Sequence, residues 1–158
     1  MAYLPSIIVL GIAILLALRF ASTQDFSNAE VSTRDSASLW LSVATFVQAI
    51  HFVEEWQTGF TESLSEVFNV PPMPDWFFIS FNLAWIVAWG LSIRGLRRGY
   101  RAALFASWFL AIAGVANGVL HPMLSVLTSG YFPGLITAPA VGLICLVLIR
   151  RLRALAVG

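Results

Sequence analysis

"QAIHFVEEWQ", residues 48–57, places a histidine, two glutamates and two glutamines at the end of an apolar run, "LWLSVATFVQAIHFVEEW", that otherwise reads as a membrane-crossing helix. Ionisable side chains at membrane depth are costly and are usually retained for a function. Whether this stretch lies in lipid or in a soluble core therefore decides both the fold class and where to look for chemistry.

Composition answers the first question. The chain of 158 residues is 59% hydrophobic and 11% charged, whereas soluble domains carry about 25% charged residues. So few charges cannot cover a water-exposed surface, and the class is all-α integral membrane protein. Five apolar stretches, at about 3–20, 38–57, 76–93, 102–121 and 132–149, each approach the roughly 20 residues a helix needs to cross a bilayer core. A barrel would instead need about 8 alternating strands of about 10 residues. The expectation is one domain over 1–158, a bundle of five transmembrane helices. The first stretch has no basic n-region and a long apolar run, which favours a retained helix over a cleaved signal peptide.

All nine basic residues are arginine, and seven fall in "RGLRRGYR" (94–101) and "RRLR" (150–153). Short basic loops stay cytoplasmic, which predicts an outside N-terminus, a cytoplasmic C-terminus and a multi-pass protein of the inner (plasma) membrane. The loop at 57–75 is then outside, and its run "NVPPMPDW" (69–76) has too many prolines for a regular helix. The loop at about 21–37 is cytoplasmic. The slight positive charge implies no nucleic acid partner; the arginines meet anionic membrane lipids. The lone Cys145 reads as a small buried hydrophobe.

Depth follows from a rise of about 1.5 Å per residue across a core about 30 Å thick. His51 lies about two-thirds of the way across from Ser38, with Glu54 and Glu55 a turn further out. Asn82 is about 9 Å below the outer boundary at Trp76, by the same rise. Asn117, His121 and Thr137 fall near that level. Azimuth agrees with depth: His51, Glu54 and Glu55 share a face, with Gln48 a turn below, and Asn117 and His121 share another. Gly114 and Gly118 form a G-x-x-x-G pair on the Asn117 face, which lets a neighbouring helix approach closely. A polar chamber in the outer half is expected, walled by His51, Glu54, Glu55, Asn82, Asn117 and His121. Gln48, Trp85, Tyr131 and Thr137 are further pocket candidates.

"HFVEEW" reads H-x-x-E-E and, with "NGVLHP" (117–122) and "YFPGLITAP" (131–139), resembles the HXXEE family of small bacterial membrane proteins over about residues 40–145. The resemblance implies no substrate and no reaction.

Three functions fit these residues. In the first, His51, Glu55 and His121 hold zinc or non-haem iron, the spare glutamate acts as base, and the enzyme is of hydrolase or oxidoreductase type. A two-iron site needs more carboxylates than a chain with no acid after Asp75 supplies. In the second, the two glutamates share one proton beside a titratable histidine, and metal-free acid–base chemistry isomerises or cyclises an isoprenoid- or sterol-like substrate. Aromatic residues including Trp56, Trp76, Trp85, Trp89 and Trp108 then either steady a cation or form the interfacial belt. In the third, the residues line a proton or ion pathway or bind a small ligand, with a homodimer supplying the missing length. The expected partners are membrane lipids and an apolar small molecule. The first reading is preferred, with His51, Glu54, Glu55, Asn117 and His121 as the catalytic set.

Overall fold

An apolar chain must satisfy its backbone N–H and C=O groups within itself, and helices do so segment by segment. The computed structural model describes residues 4–26 and 28–156, with side chains described from Ile8 onward except at Ser27. Among these the chain is all-helical: α1 Leu4–Thr23, α2 Val31–Gln57, α3 Phe60–Phe68, α4 Asp75–Arg97, α5 Arg101–Leu127 and α6 Ala138–Ala154. The expected start of the first helix at Tyr3 lies outside the described residues.

α2, α4, α5 and α6 form a ring in which each packs on the next, α1 lies along the outside of α5, and α3 crosses one end beside α2. Small residues set the closest approaches. Ala13, Ala17 and Ala21, spaced one turn apart, give α1 its buried stripe. A Cβ on Gly118 would stand 2.8 Å from the Gly142 Cα, and one on Gly114 would stand 2.3 Å from the Cys145 Sγ. The G-x-x-x-G face therefore receives α6. The opposite faces carry large exposed apolar side chains, among them Leu15, Phe46, Val87, Val119 and Leu143, as expected of helices turned toward lipid rather than water.

Several expected boundaries shift. α2 begins at Val31, and α5 runs through Pro122 to Leu127. Pro122 removes the backbone bond to the Gly118 carbonyl without ending the helix, so His121 lies within a helix and not at its end. The fifth apolar run does not start a helix at 132. Residues 131–137 form a turn around Gly134, whose φ of 87° is a left-handed conformation suited to glycine. Helix α3 occupies the first part of the 57–75 connection, where no helix is expected, and the proline run from Val70 to Pro74 is non-helical as expected. The helix starts after Gly59 at φ 77° and stops at Asn69 at φ 50°, ahead of the proline run. By length and composition, α2, α4 and α5 can cross a membrane; the apolar part of α1 (Ile8–Thr23) and the 17 residues of α6 are shorter.

The two ends of the ring differ in charge. At one end Gln24 donates to the Leu152 carbonyl at 2.6 Å and accepts from Trp108 Nε1 at 3.0 Å, Arg101 donates to the Ala21 carbonyl at 3.0 Å, and Arg97 pairs with Asp35 at 3.1 Å. These ties bring the arginine-bearing helix ends together. At the other end the helices bring together the C-terminal turns of α2, the start of α4, the far half of α5 and the turn before α6.

Candidate metal centre

Residues i and i+4 on a helix share a face, and the last turns of α2 use this to turn His51 and Glu55 into the ring, 0% and 6% exposed. α5 supplies His121, 3% exposed, from the opposite wall. The imidazoles meet edge to face with ring centroids 4.8 Å apart. Glu55 Oε1 stands 3.5 Å from His51 Nε2 and 3.3 Å from His121 Nε2, and the candidate ligand atoms of the three residues all lie within 4.8 Å of one another. Both histidines of the chain are in this group.

Hydrogen-bond accounting fixes the tautomers. His121 Nδ1 lies 2.6 Å from the Pro133 carbonyl oxygen, which can only accept, so Nδ1 carries the proton. The Thr137 hydroxyl has one hydrogen and donates it to Glu54 Oε2 at 2.5 Å. It must therefore accept from His51 Nδ1, 2.7 Å away. In both neutral imidazoles the Nε2 lone pair is then directed at a carboxylate oxygen. Three acceptors face one another with no donor between them, and His51 Nε2 is buried without a hydrogen bond. Such an arrangement can hold a cation at its centre, a metal ion or an added proton.

Glu54, one residue before Glu55, is turned about 100° from it around the helix and meets different partners. Its carboxylate accepts from Tyr131 Oη at 2.6 Å, from the Ile136 and Thr137 backbone N–H groups at 3.0 and 2.9 Å, and from the Thr137 hydroxyl. Thr137 is the residue that opens α6, so Glu54 sits where a helix start favours an anion. Burial first, and then the facing Glu54 carboxylate, raise the Tyr131 phenol above its ordinary pKa, which keeps it a donor. The two glutamates face separate partners and not each other. A proton shared between them, as the metal-free expectation had it, has no contact to travel through.

The turn at 131–137 backs the whole group. A Cβ on Gly134 would stand 2.6 Å from the His121 ring and 2.8 Å from His51 Cε1, so glycine there lets backbone seat directly against both imidazoles. Pro133 and Gly134 were not singled out from the sequence, although they lie in the quoted "YFPGLITAP". Their part is played by backbone atoms, which side-chain chemistry does not announce.

The remaining candidates are more scattered. Gln48 is buried one turn below His51 with its Oε1 unpaired. Asn82 bonds back to the Phe78 carbonyl of its own helix at 2.9 Å. Asn117 is partly exposed and makes no hydrogen bond to the group. Trp85 packs among Phe109, Trp89 and Phe105, with the Phe109 centroid 4.3 Å away. Trp89 and Trp108 are core residues at 5% and 2% exposure, not belt residues, whereas Trp56 and Trp76 are exposed.

Beside Glu55 a half-open cleft of about 240 Å³ lies between the end of α2, α3 and the start of α4. Phe60, on its wall, stacks on His121 with centroids 5.6 Å apart. Glu62 and Asp75, also on its wall, are functional candidates that the sequence reading passed over, because nothing in the connecting segment announced a helix to carry them.

A family model described as a protein of unknown function with HXXEE motif matches residues 40–149, which include α2 from Trp40 and every residue of the centre. No curated protein and no solved structure matches the chain.

Proposed function

This chain belongs to the HXXEE-motif family, proteins of unknown function, and we propose that His51, Glu55 and His121 hold a divalent metal, zinc or non-haem iron, in a membrane-embedded enzyme. The observation that carries the reading is the set of three lone-pair-bearing atoms facing one another in a buried space. Zinc with nitrogen and oxygen ligands at about 2.0–2.1 Å has tetrahedral ligand-to-ligand edges of about 3.3–3.4 Å. The 3.3 and 3.5 Å separations about Glu55 Oε1 are close to those edges, and the three ligand atoms as a set lie within 4.8 Å of one another. Two histidines and one carboxylate are an ordinary set for hydrolytic zinc and for non-haem iron, and both leave an open position. The partner contacts at Nδ1 of each ring are those that orient metal-bound imidazoles. When bound, the metal polarises a substrate oxygen or activates water.

In this reading Glu55 is a ligand and Glu54 a fixed anion. Glu54 acts through the Thr137 hydroxyl to hold the His51 tautomer. Gln48 and Asn117, a turn below the histidines on α2 and α5, are substrate-side candidates. The substrate is lipid-like, approaching a centre near the carboxylate end of helices whose outer faces are apolar. The arrangement proposed is five helices in an inner (plasma) membrane, with α1 and α6 completing the bundle and the arginine end cytoplasmic.

The test is elemental analysis of protein purified without added metal. One equivalent of zinc or iron is expected in the native chain and less than a tenth of that in His51→Ala, Glu55→Ala and His121→Ala, with helical content unchanged by circular dichroism. Metal-free native protein that still folds would leave the acid–base reading, with a proton in place of the ion.

A further inference from the structure

The cleft at the mouth of the centre has a composition of its own. Three aromatic side chains, Trp56, Phe60 and Phe78, and three carboxylates, Glu55, Glu62 and Asp75, line it. The Thr61 hydroxyl stands 3.0 Å from Glu62 Oε2 and 3.5 Å from Asp75 Oδ1, so a single hydrogen lies between two carboxylates and can serve only one at a time. No lysine or arginine occurs between Arg34 and Arg94 or between Arg101 and Arg150. The arginines that could have neutralised these acids are gathered at the opposite end. The cleft is half-open, so the exposed Glu62 and Asp75 meet water beside the aromatic side chains. At about 30 Å³ per water, its volume is roughly that of eight waters, enough for a small organic group and generous for a bare ion.

Carboxylates such as Glu62 and Asp75, with no lysine or arginine nearby in the sequence and aromatic side chains beside them, are surroundings that recognise organic ammonium groups, through charge and through the ring quadrupole. We propose that this cleft binds the ammonium end of an amine-bearing or choline-like substrate and holds the adjoining part beside Glu55 and the two histidines. The inference rests on the metal-centre reading for what happens next, but ammonium binding itself does not. Glu55 belongs to both sites, since it lines the cleft and faces both Nε2 atoms. The ammonium group can arrive on a free amine or on a lipid headgroup.

The test is calorimetric titration of the purified protein with choline and with 3,3-dimethylbutan-1-ol, which has the same shape without the charge. The native chain should bind choline at least about tenfold more tightly than the alcohol. In the double variant Glu62→Gln and Asp75→Asn that preference should fall below about threefold. Both side chains are exposed, and helical content unchanged by circular dichroism certifies that the variant is folded. Trp56→Ala should weaken choline more than the alcohol. His51→Ala should lose metal and keep the choline preference, which separates failure of the metal centre from failure of the cleft. Equal binding of choline and alcohol by the native chain, or an unchanged preference in the double variant, would overturn the proposal. Repeating the titration in nanodiscs identifies the source. Weaker choline binding in phosphatidylcholine than in phosphatidylglycerol assigns the site to a headgroup, and equal binding assigns it to a free amine; both agree with an ammonium site.

Discussion

Glu54 and Glu55 are adjacent, chemically identical and differently employed. Spacing along α2 puts both near His51 and gives them unequal roles, with Glu55 the preferred ligand, but spacing alone does not say which is ligand and which is proton carrier. What separates them is the start of α6, some eighty residues away, whose N–H groups and Thr137 hydroxyl take Glu54 and leave Glu55 to the histidines. Sequence could pair His51 with His121 by depth, because a helical rise is regular. It could not assign tautomers, because these depend on a carbonyl and a hydroxyl supplied by a turn. The two roles give different mutational outcomes. Glu55→Gln removes a ligand and should abolish stoichiometric metal. Glu54→Gln and Thr137→Ala remove only the orientation of His51 and should weaken metal binding about 10–100-fold, read by competition with a chromophoric chelator. Gly134→Ala should also lose the metal, since its Cβ would overlap both rings in a left-handed backbone that L residues avoid.

At the scale of elements, the regular parts were legible and the irregular ones were not. The four helices of the ring were found from hydropathy within several residues. The departures came where one local signal was overruled: Pro122 did not stop α5, and an apolar start at Phe132 became a turn around Gly134. α3 was missed because its sequence, "FTESLSEVF", is short and mixed, and it is held by aromatic contacts from elsewhere, Phe60 on Phe78 and Phe132. The α5–α6 crossing was legible on one side only; Gly114 and Gly118 announced a close partner, and Gly142 and Cys145 supplied it. Gly118→Val should therefore force these helices apart and destabilise the chain by about 1–3 kcal/mol, as overpacking does. Thermal unfolding in detergent measures this, and a change of that size at the exposed Val119 should be absent.

Over the whole molecule the charges are sorted. Every arginine and the acids Asp25, Glu30 and Asp35 belong to the end where α1, α4 and α6 finish and α2 and α5 begin. Glu54, Glu55, Glu62, Glu66 and Asp75 belong to the other. That partition is what orients the proposed bundle, because basic segments remain on the cytoplasmic side. In a Cys145→Ser background, a cysteine introduced at Ser63 should react with a membrane-impermeant maleimide in intact cells, and one introduced at Arg98 only after the membrane is opened. The reverse labelling would invert the proposed orientation without disturbing the centre.

The centre is tested most directly by X-ray absorption at the edge of the bound metal in the purified native protein. The account predicts a shell of nitrogen and oxygen only, at about 2.0–2.1 Å for zinc, with the outer-shell pattern of two imidazoles falling to one in whatever metal His121→Ala retains. Sulfur in the shell would contradict it, because Cys145 is buried against the Leu110 carbonyl between α5 and α6. So would a shell without imidazole, which would place the metal somewhere other than between His51 and His121.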